Sequence, residues 1–368
     1  MAKIQKIIKI LSKNFEISGG GIVLRDIECR CQVVKNFTPS WFASVMGTGI
    51  LAITSLFYSQ YIPLLKNLAY ILFYFNIILF FVLVIPWILR WIFFRKEALN
   101  DLEHPVLSNF YATIAIGMLV LAADFIVIGK NMEIGEVFWF IGTLFTIFFA
   151  ILTPYQMFKG EHVKLDHINP AWFIPPVGLI VIPIAGSSII PHFSGMVQEF
   201  VIFLNYFGWG SGFFIYLALL AITMYRFILH RPLPNTLAPT IWINLGPIGA
   251  GTVALVNLIK NSSFITIQEP FFVFGFLFWG FGIWWIIMAI VLTLHYIKRL
   301  KLPYAMSWWA FTFPLGAYVA ASHTVSSLFG LQLIDYIGFA LYLLLVIFWL
   351  VTLVKTSIYA YHGTLFKD

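Results

Sequence analysis

Charge is scarce in this chain. Of 368 residues only 10% are Asp, Glu, Lys or Arg, against about a quarter in an ordinary soluble domain, while 61% are hydrophobic and 18% aromatic. So few charges cannot keep so apolar a surface dispersed in water, which excludes a soluble enzyme, a disordered scaffold and a nucleic-acid binder. The net charge of +7 does not restore the last of these, because the basic residues punctuate apolar runs and form no common reading face. Cysteine is nearly missing. Cys29 and Cys31 are too few for a structural zinc site, and two residues apart in an extended segment they are poorly set for an easy mutual disulfide.

A cleavable signal run is missing too, since the opening MAKIQKIIKILSKNF alternates apolar residues with lysines. Ile4, Ile7, Ile8, Leu11 and Phe15 recur at helical spacing, with Lys3, Lys6, Lys9 and Lys13 largely off that stripe. The segment reads as a short amphipathic helix on the membrane surface or as a mobile basic tail. Deep titratable groups are as rare: His323 is the only histidine deep in an apolar run, and no basic residue lies at mid-membrane. A membrane-embedded enzyme or haem protein would need several deep His, Asp or Cys side chains facing each other. The expectation is therefore no enzyme, no cofactor and no metal. Glu161-His162 with Asp166-His167 carries metal-capable atoms but lacks a ligand spacing, and reads as a solvated loop. Asp124, near the end of its run, reads as an interfacial carboxylate.

What the chain does have is long apolar runs. A spanning helix needs about 20 apolar residues to cross about 30 Å of hydrocarbon, and ten such runs are found, at 39–59, 67–92, 106–128, 134–157, 170–190, 197–225, 237–259, 269–296, 305–328 and 331–354. Between them, 19 of the 22 Lys and Arg residues fall on one side; only Lys66, Lys130 and Lys260 fall on the other. By the positive-inside rule both termini are cytoplasmic and the number of spans is even.

The runs pair into a repeat. Odd-numbered runs each open near a proline, at Pro39, Pro105, Pro170, Pro239 and Pro303, so the chain reads as five helix hairpins of nearly equal length. Pro39-Ser-Trp-Phe with Gly47 matches Pro170-Ala-Trp-Phe with Gly178. Odd runs carry small and weakly polar residues at mid-depth: Ser44, Gly47, Thr48 and Gly49; Thr113 and Gly117; Gly178 and Gly186; Asn244, Gly246 and Gly249; Thr312 and Gly316. Even runs are bulkier. Small residues in membrane helices commonly serve close helix packing; concentrated in one alternate set, they also suit an inner ring lining a narrow pore. The expected fold is all-α and polytopic, with ten transmembrane helices as five hairpins in quasi-five-fold arrangement around a central pore.

Phe37-Thr-Pro-Ser-Trp-Phe-Ala-Ser-Val-Met-Gly-Thr-Gly-Ile50, Phe278-Trp-Gly-Phe-Gly-Ile-Trp-Trp285 and Trp308-Trp-Ala-Phe-Thr-Phe-Pro314 resemble the tellurite-resistance/dicarboxylate transporter family. That family takes in bacterial TehA proteins, fungal malate permeases and sulfite exporters, and the slow-type anion channels of plant guard cells. The resemblance covers about residues 37–356. It implies a ring of odd helices around a pore, a homotrimer with one pore per subunit, and a pore-occluding phenylalanine on helix nine, whose position Phe313 matches. Gly316 and the prolines of helices five, seven and nine would then kink the inner helices.

Residues 37–356 are accordingly the expected transport domain, between cytoplasmic tails at 1–36, with the surface helix, and 357–368. The expected activity is passage of small anions across the cell membrane: a C4-dicarboxylate such as malate, sulfite or a related oxyanion, or an inorganic anion. The expected partners are those anions, the bilayer and two further copies, without nucleic acid. With no basic residue at mid-depth, binding inside would be weak, from hydroxyls and backbone N–H groups freed at Gly and Pro. The alternative is a proton-coupled dicarboxylate carrier. His323 is the candidate anion or proton contact, against a hydrogen-bonded packing histidine.

Overall fold

Apolar runs in a solvent without hydrogen-bonding partners must satisfy their backbone internally. The computed structural model, which describes residues 31–160 and 163–367, accordingly contains helices and no strand among those residues. The N-terminal stripe, Cys29 and the pair Glu161-His162 lie outside the described residues.

Two kinds of helix alternate. The short ones are α1 (Ala43–Phe57), α3 (Ala112–Val127), α5 (Ile174–Ile189), α7 (Leu245–Lys260) and α9 (Phe313–Phe329), each of 15 to 17 residues. The long ones are α2 (Leu64–Phe93), α4 (Met132–Phe158), α6 (Gly195–Leu229), α8 (Glu269–His295) and α10 (Gln332–Tyr361), of 27 to 35 residues. Each short helix is preceded by a 3₁₀ segment: Pro39–Phe42, Leu107–Tyr111, Pro170–Phe173, Asn235–Asn244 and Met306–Phe311. Proline favours such entries, because its fixed φ and missing N–H suit the first turn, where that donor has no partner within the helix. Within the long helices Pro86 and Pro154 are accommodated, as is Pro183 within α5.

Nine helices among the described residues are long and apolar enough to cross a membrane. The run expected at 305–328 is not one of them, because it is divided at Thr312 (φ −95°, ψ −73°) into the 3₁₀ segment and the 17-residue α9. Pro314 contributes: at the second position of α9 it has no N–H to donate to the turn before it, so the 3₁₀ segment does not run on into the helix.

Burial separates the two kinds. In the four short helices that count as spans with their lead-ins, 78–89% of the apolar window is buried, against 28–39% in the five long ones. The short helices pack in the order α1, α3, α5, α7, α9, and α9 returns to α1. Each long helix lies outside, against the short helix before it and the one after it, with α10 reaching round to α1. Asn36 Nδ2 donates to the Phe366 carbonyl at 2.7 Å, and Trp41 stacks on Phe366 at 5.5 Å, so the described chain begins and ends on the same face, the terminal face.

One contact type recurs around the ring. Trp139 of α4 donates its indole N–H to the Ile182 carbonyl of α5 at 2.8 Å, Trp209 of α6 to Gly251 of α7 at 3.0 Å, Trp279 of α8 to Ser322 of α9 at 2.9 Å, and Trp349 of α10 to Thr48 of α1 at 3.0 Å. In the first hairpin the corresponding link is Asn76 of α2 donating to Asp124 of α3 at 3.2 Å. Asp124 is thus fully buried and not interfacial as expected; its neighbour in α1 is Gly49, where any side chain would collide with the pair.

On the terminal face, Asp166 accepts from His230 at 2.6 Å and from Arg231 at 2.9 and 3.0 Å; the His230 bond, with Arg231, holds its carboxyl below the usual carboxylate range.

Close approach of the short helices depends on glycine. At Gly249 an added Cβ would overlap the Ala317 and Tyr318 backbones, whereas at Gly280 it meets nothing within 4 Å. Gly249→Ala should therefore cost about 1–3 kcal/mol of stability through overpacking and Gly280→Ala close to nothing, measured as detergent-solubilised thermal unfolding; equal melting temperatures would overturn the packing account.

Candidate functional site

The ring encloses two cavities. The first, about 40 Å³, lies toward the terminal face among the starts of the short helices, and touches Ala43 and Met46, Thr113 and Ile116, Ile174 and Val177, Gly246, Phe313 and Pro314. The second, about 110 Å³, lies toward the opposite face, and touches Ile50 and Phe57, Val120 and Ala123, Val181 and Ser188, Val253 and Asn257, Phe313, Ala317 and Ala320. All five short helices contribute to each. Phe313 is the one side chain common to both, and it is 4% exposed. It owes its position to the break at Thr312, which makes it the first residue of α9.

The cavity walls are mostly aliphatic. Of the positions expected to line a pore or break a helix, Thr113, Gly246 and Phe313 border the cavities. Thr113 donates to the carbonyls of Pro39 at 2.7 Å and Phe110 at 2.6 Å, so its hydroxyl hydrogen is engaged by backbone. The others sit in helix contacts. Ser44 and Thr312 donate to the carbonyls three residues back, Trp41 and Trp309, at 2.7 Å each, and Thr48 accepts from Trp349. Asn244, fully buried, ends the lead-in to α7. Gly47 faces Thr312 and Trp309; Gly49 faces Asp124; Gly117 faces Val45; Gly178 faces Thr146 and Ile116; Gly186 faces Trp139 and Asn205; Gly249 and Gly316 face Ala317 and Ile50. Absent side chains here let helices touch, and what remains to face the cavities is chiefly Ile, Val, Ala and Phe.

His323 is placed outside the cavities, at the far end of α9. Its Nδ1 lies 2.9 Å from Asp335 Oδ1 at the start of α10, and Asp335 Oδ2 accepts from Tyr61 at 2.6 Å and Gln60 at 3.1 Å. The ring stacks on Phe57 at 4.9 Å, and Phe57 borders the second cavity. His323 therefore reaches the axis through Phe57. Asp335 was missed by the sequence reasoning; its pairing with a histidine twelve positions earlier follows from the hairpin turn between α9 and α10.

No group of three or more His, Cys, Asp or Glu side chains suited to a metal occurs among the described residues. The geometry supports passage or its obstruction along one axis: apolar walls with few polar groups, narrow enough for one ring to bridge, behave as a constriction that water leaves readily.

Comparison with known proteins agrees with that geometry. The sequence profile of the SLAC1 family, described as "Voltage-dependent anion channel", matches residues 36–357. The chain is 62% identical over 345 residues to an uncharacterized transporter of Methanocaldococcus jannaschii, covering 94% of this chain and 99% of that one. It is 25% identical over 354 residues to a sulfite efflux pump of Arthroderma otae (91% and 93% covered) and 24% identical over 347 residues to a malic acid transport protein of Schizosaccharomyces pombe (87% and 77%).

Division of the axis at Phe313 is tested with single cysteines in a background where Cys29 and Cys31 are Ser. Ala43→Cys in the first cavity and Val253→Cys in the second should react with a membrane-impermeant thiol reagent from opposite faces of sealed vesicles. Reaction of both from one face would show a continuous axis.

Proposed function

The chain belongs to the SLAC1 family of voltage-dependent anion channels, and from that premise we propose that it carries small anions along the axis of the ring, with the Phe313 ring occluding the path. It is a transport protein, not an enzyme. The observation that carries the reading is the pair of cavities built by the same five helices and meeting at one aromatic side chain. Substrates of this reading are C4-dicarboxylates such as malate, sulfite and related oxyanions, and inorganic anions; the names of the fungal relatives support the first two classes.

The reading takes the architecture as ten crossings in five hairpins, spanning residues 37–356. The meeting of Asn36 with Phe366 supports an even number of crossings, the broken helix with its 3₁₀ lead-in serves as the ninth, and the recurring indole bonds support the repeat. The distribution of Lys and Arg supports cytoplasmic tails and a terminal face turned to the cytoplasm. The exposed apolar sides of the long helices face lipid and the other two subunits of a homotrimer in the cell membrane.

Along the axis no full charge holds the anion. Ser188 and Asn257 in the second cavity offer dipoles, and the helix starts around the first cavity offer partial positive charge. Weak sites allow fast release, so the rate is set by displacement of Phe313 and not by unbinding. Removing that ring in Phe313→Ala should join the cavities and raise flux several-fold in proteoliposomes assayed with sulfite, malate, nitrate and chloride. Unchanged flux from a well-folded variant would sink the gating role, and no flux of any anion from either protein would sink the transport reading.

A second reading, a proton-coupled carrier, is favoured by one observation: the His323–Asp335 pair with Tyr61 and Gln60, stacked on Phe57 at the wall of the second cavity. With Nδ1 donating to the Asp335 carboxylate, a second proton on Nε2 would make the ring a cation beside that wall. Anion uptake driven by an imposed pH gradient in the wild type, and lost in His323→Gln with gradient-free flux retained, is the expected result for coupling. Equal uptake with and without the gradient leaves the uncoupled channel.

A further inference from the structure

Two buried arginines occupy the same place in their hairpins and are treated differently. Arg90, in the last turn of α2, is 4% exposed; its Nε donates to the Lys35 carbonyl at 2.9 Å and its Nη1 to the Phe37 carbonyl at 3.0 Å, and Nη1 also lies 2.7 Å from Asp101 Oδ2. Arg226, in the last turn of α6 on the same terminal face, is 1% exposed; Asp166, already held by His230 and Arg231, acts on it only through its charge, and its Nε and Nη1 make no hydrogen bond. Three residues earlier on the same helix face, Thr223 is also 1% exposed with an unpartnered hydroxyl. A desolvated guanidinium without acceptors is among the costliest groups a fold can hold. In Arg90 those same two nitrogens are met by two carbonyls and a carboxylate.

We propose that Arg226 and Thr223 form a binding site for the phosphate of an anionic lipid headgroup. The chemistry fits an oxyanion: the guanidinium edge carrying Nε and an Nη presents two parallel donors to two oxygens of one tetrahedral anion, and the hydroxyl adds a third. The position selects a lipid. Arg226 lies away from both cavities, while Tyr225, Ile228 and Leu229 beside it on α6 are 54%, 72% and 65% exposed on the apolar outer surface, where acyl chains run. Tyr296 lies next to Arg226 and opens a π-helical turn, Tyr296–Leu300, that carries Lys298 and Arg299 and ends at Lys301 with φ +64°. Exposed basic residues at this level follow the positive-inside rule; an unpartnered buried guanidinium does not. On this proposal the headgroup enters beside that irregular turn, where the backbone departs from regular helix.

The test is native mass spectrometry of the full chain released from detergent, titrated with phosphatidylglycerol, with phosphatidylcholine and with inorganic phosphate. Wild type should retain phosphatidylglycerol in preference to phosphatidylcholine, with free phosphate a poor competitor. Arg226→Met should lower that retention roughly tenfold, as expected for losing a charge-assisted pair of hydrogen bonds, Thr223→Val should lower it less, and Lys298→Gln should leave most of it. Wild type without preference for the anionic lipid, or Arg226→Met retaining it fully, would overturn the site. Displacement by inorganic phosphate at similar concentration would overturn the lipid assignment in favour of a soluble anion. The wild-type arms decide the matter even where Arg226→Met fails to fold, and none of these outcomes depends on whether anion flux is found.

Discussion

A hydrogen-bond donor on a lipid-facing helix has nowhere to turn but inward, and the structure uses that constraint repeatedly. Four long helices each carry one tryptophan whose indole N–H reaches a carbonyl or hydroxyl of the next short helix, and α10 closes the series by reaching α1. Each bond contributes about 1 kcal/mol in a membrane, which is modest, but their directions agree: every short helix except α3 is held by an indole from outside. The inner ring is therefore positioned by its surroundings and not by contacts across the axis. That arrangement leaves cavities on the axis without leaving the short helices loose.

The glycines act on the same geometry from within. With no side chain at Gly249 the α7 and α9 backbones touch, and the same absence at Gly316 admits Ile50 from α1. Close approach between neighbours narrows the ring, so the residues turned to the axis are few and aliphatic. At these positions the small residues set how closely neighbouring short helices approach. The geometric consequence is two mostly aliphatic cavities that share the Phe313 ring, with few polar groups on their walls.

The long apolar runs and the prolines at the helix entries were legible because each follows from a single strong requirement: thickness of hydrocarbon and entry geometry of a helix. Features set by two distant residues were not. Nothing around Asp124 announces Asn76, forty-eight positions earlier, and a carboxylate four residues from a helix end reads as interfacial until α2 is folded over it. The partner of His323 was hidden in the same way beyond a turn. The break at Thr312 was written in the sequence as a proline, yet Pro86, Pro154 and Pro183 lie inside helices that continue, so proline alone does not say where a span divides. One signal was present and readable: Trp139, Trp209, Trp279 and Trp349 stand at a constant interval of 70, a period that aromatic enrichment at membrane interfaces obscures.

Position of the aromatic ring at the axis is the last step that follows from these constraints. A gate made from a side chain has to sit where the backbone can change without cost to the rest of the ring. Most of the inner backbone is unsuitable, being helical and gripped from outside. The start of α9 differs: Thr312 departs from regular helical geometry, Pro314 withholds a donor from the turn before it, and the nearest indole bond to α9 is a full two turns on at Ser322. Phe313 stands next to this irregular point and borders both cavities, while Trp279 holds α9 further on at Ser322.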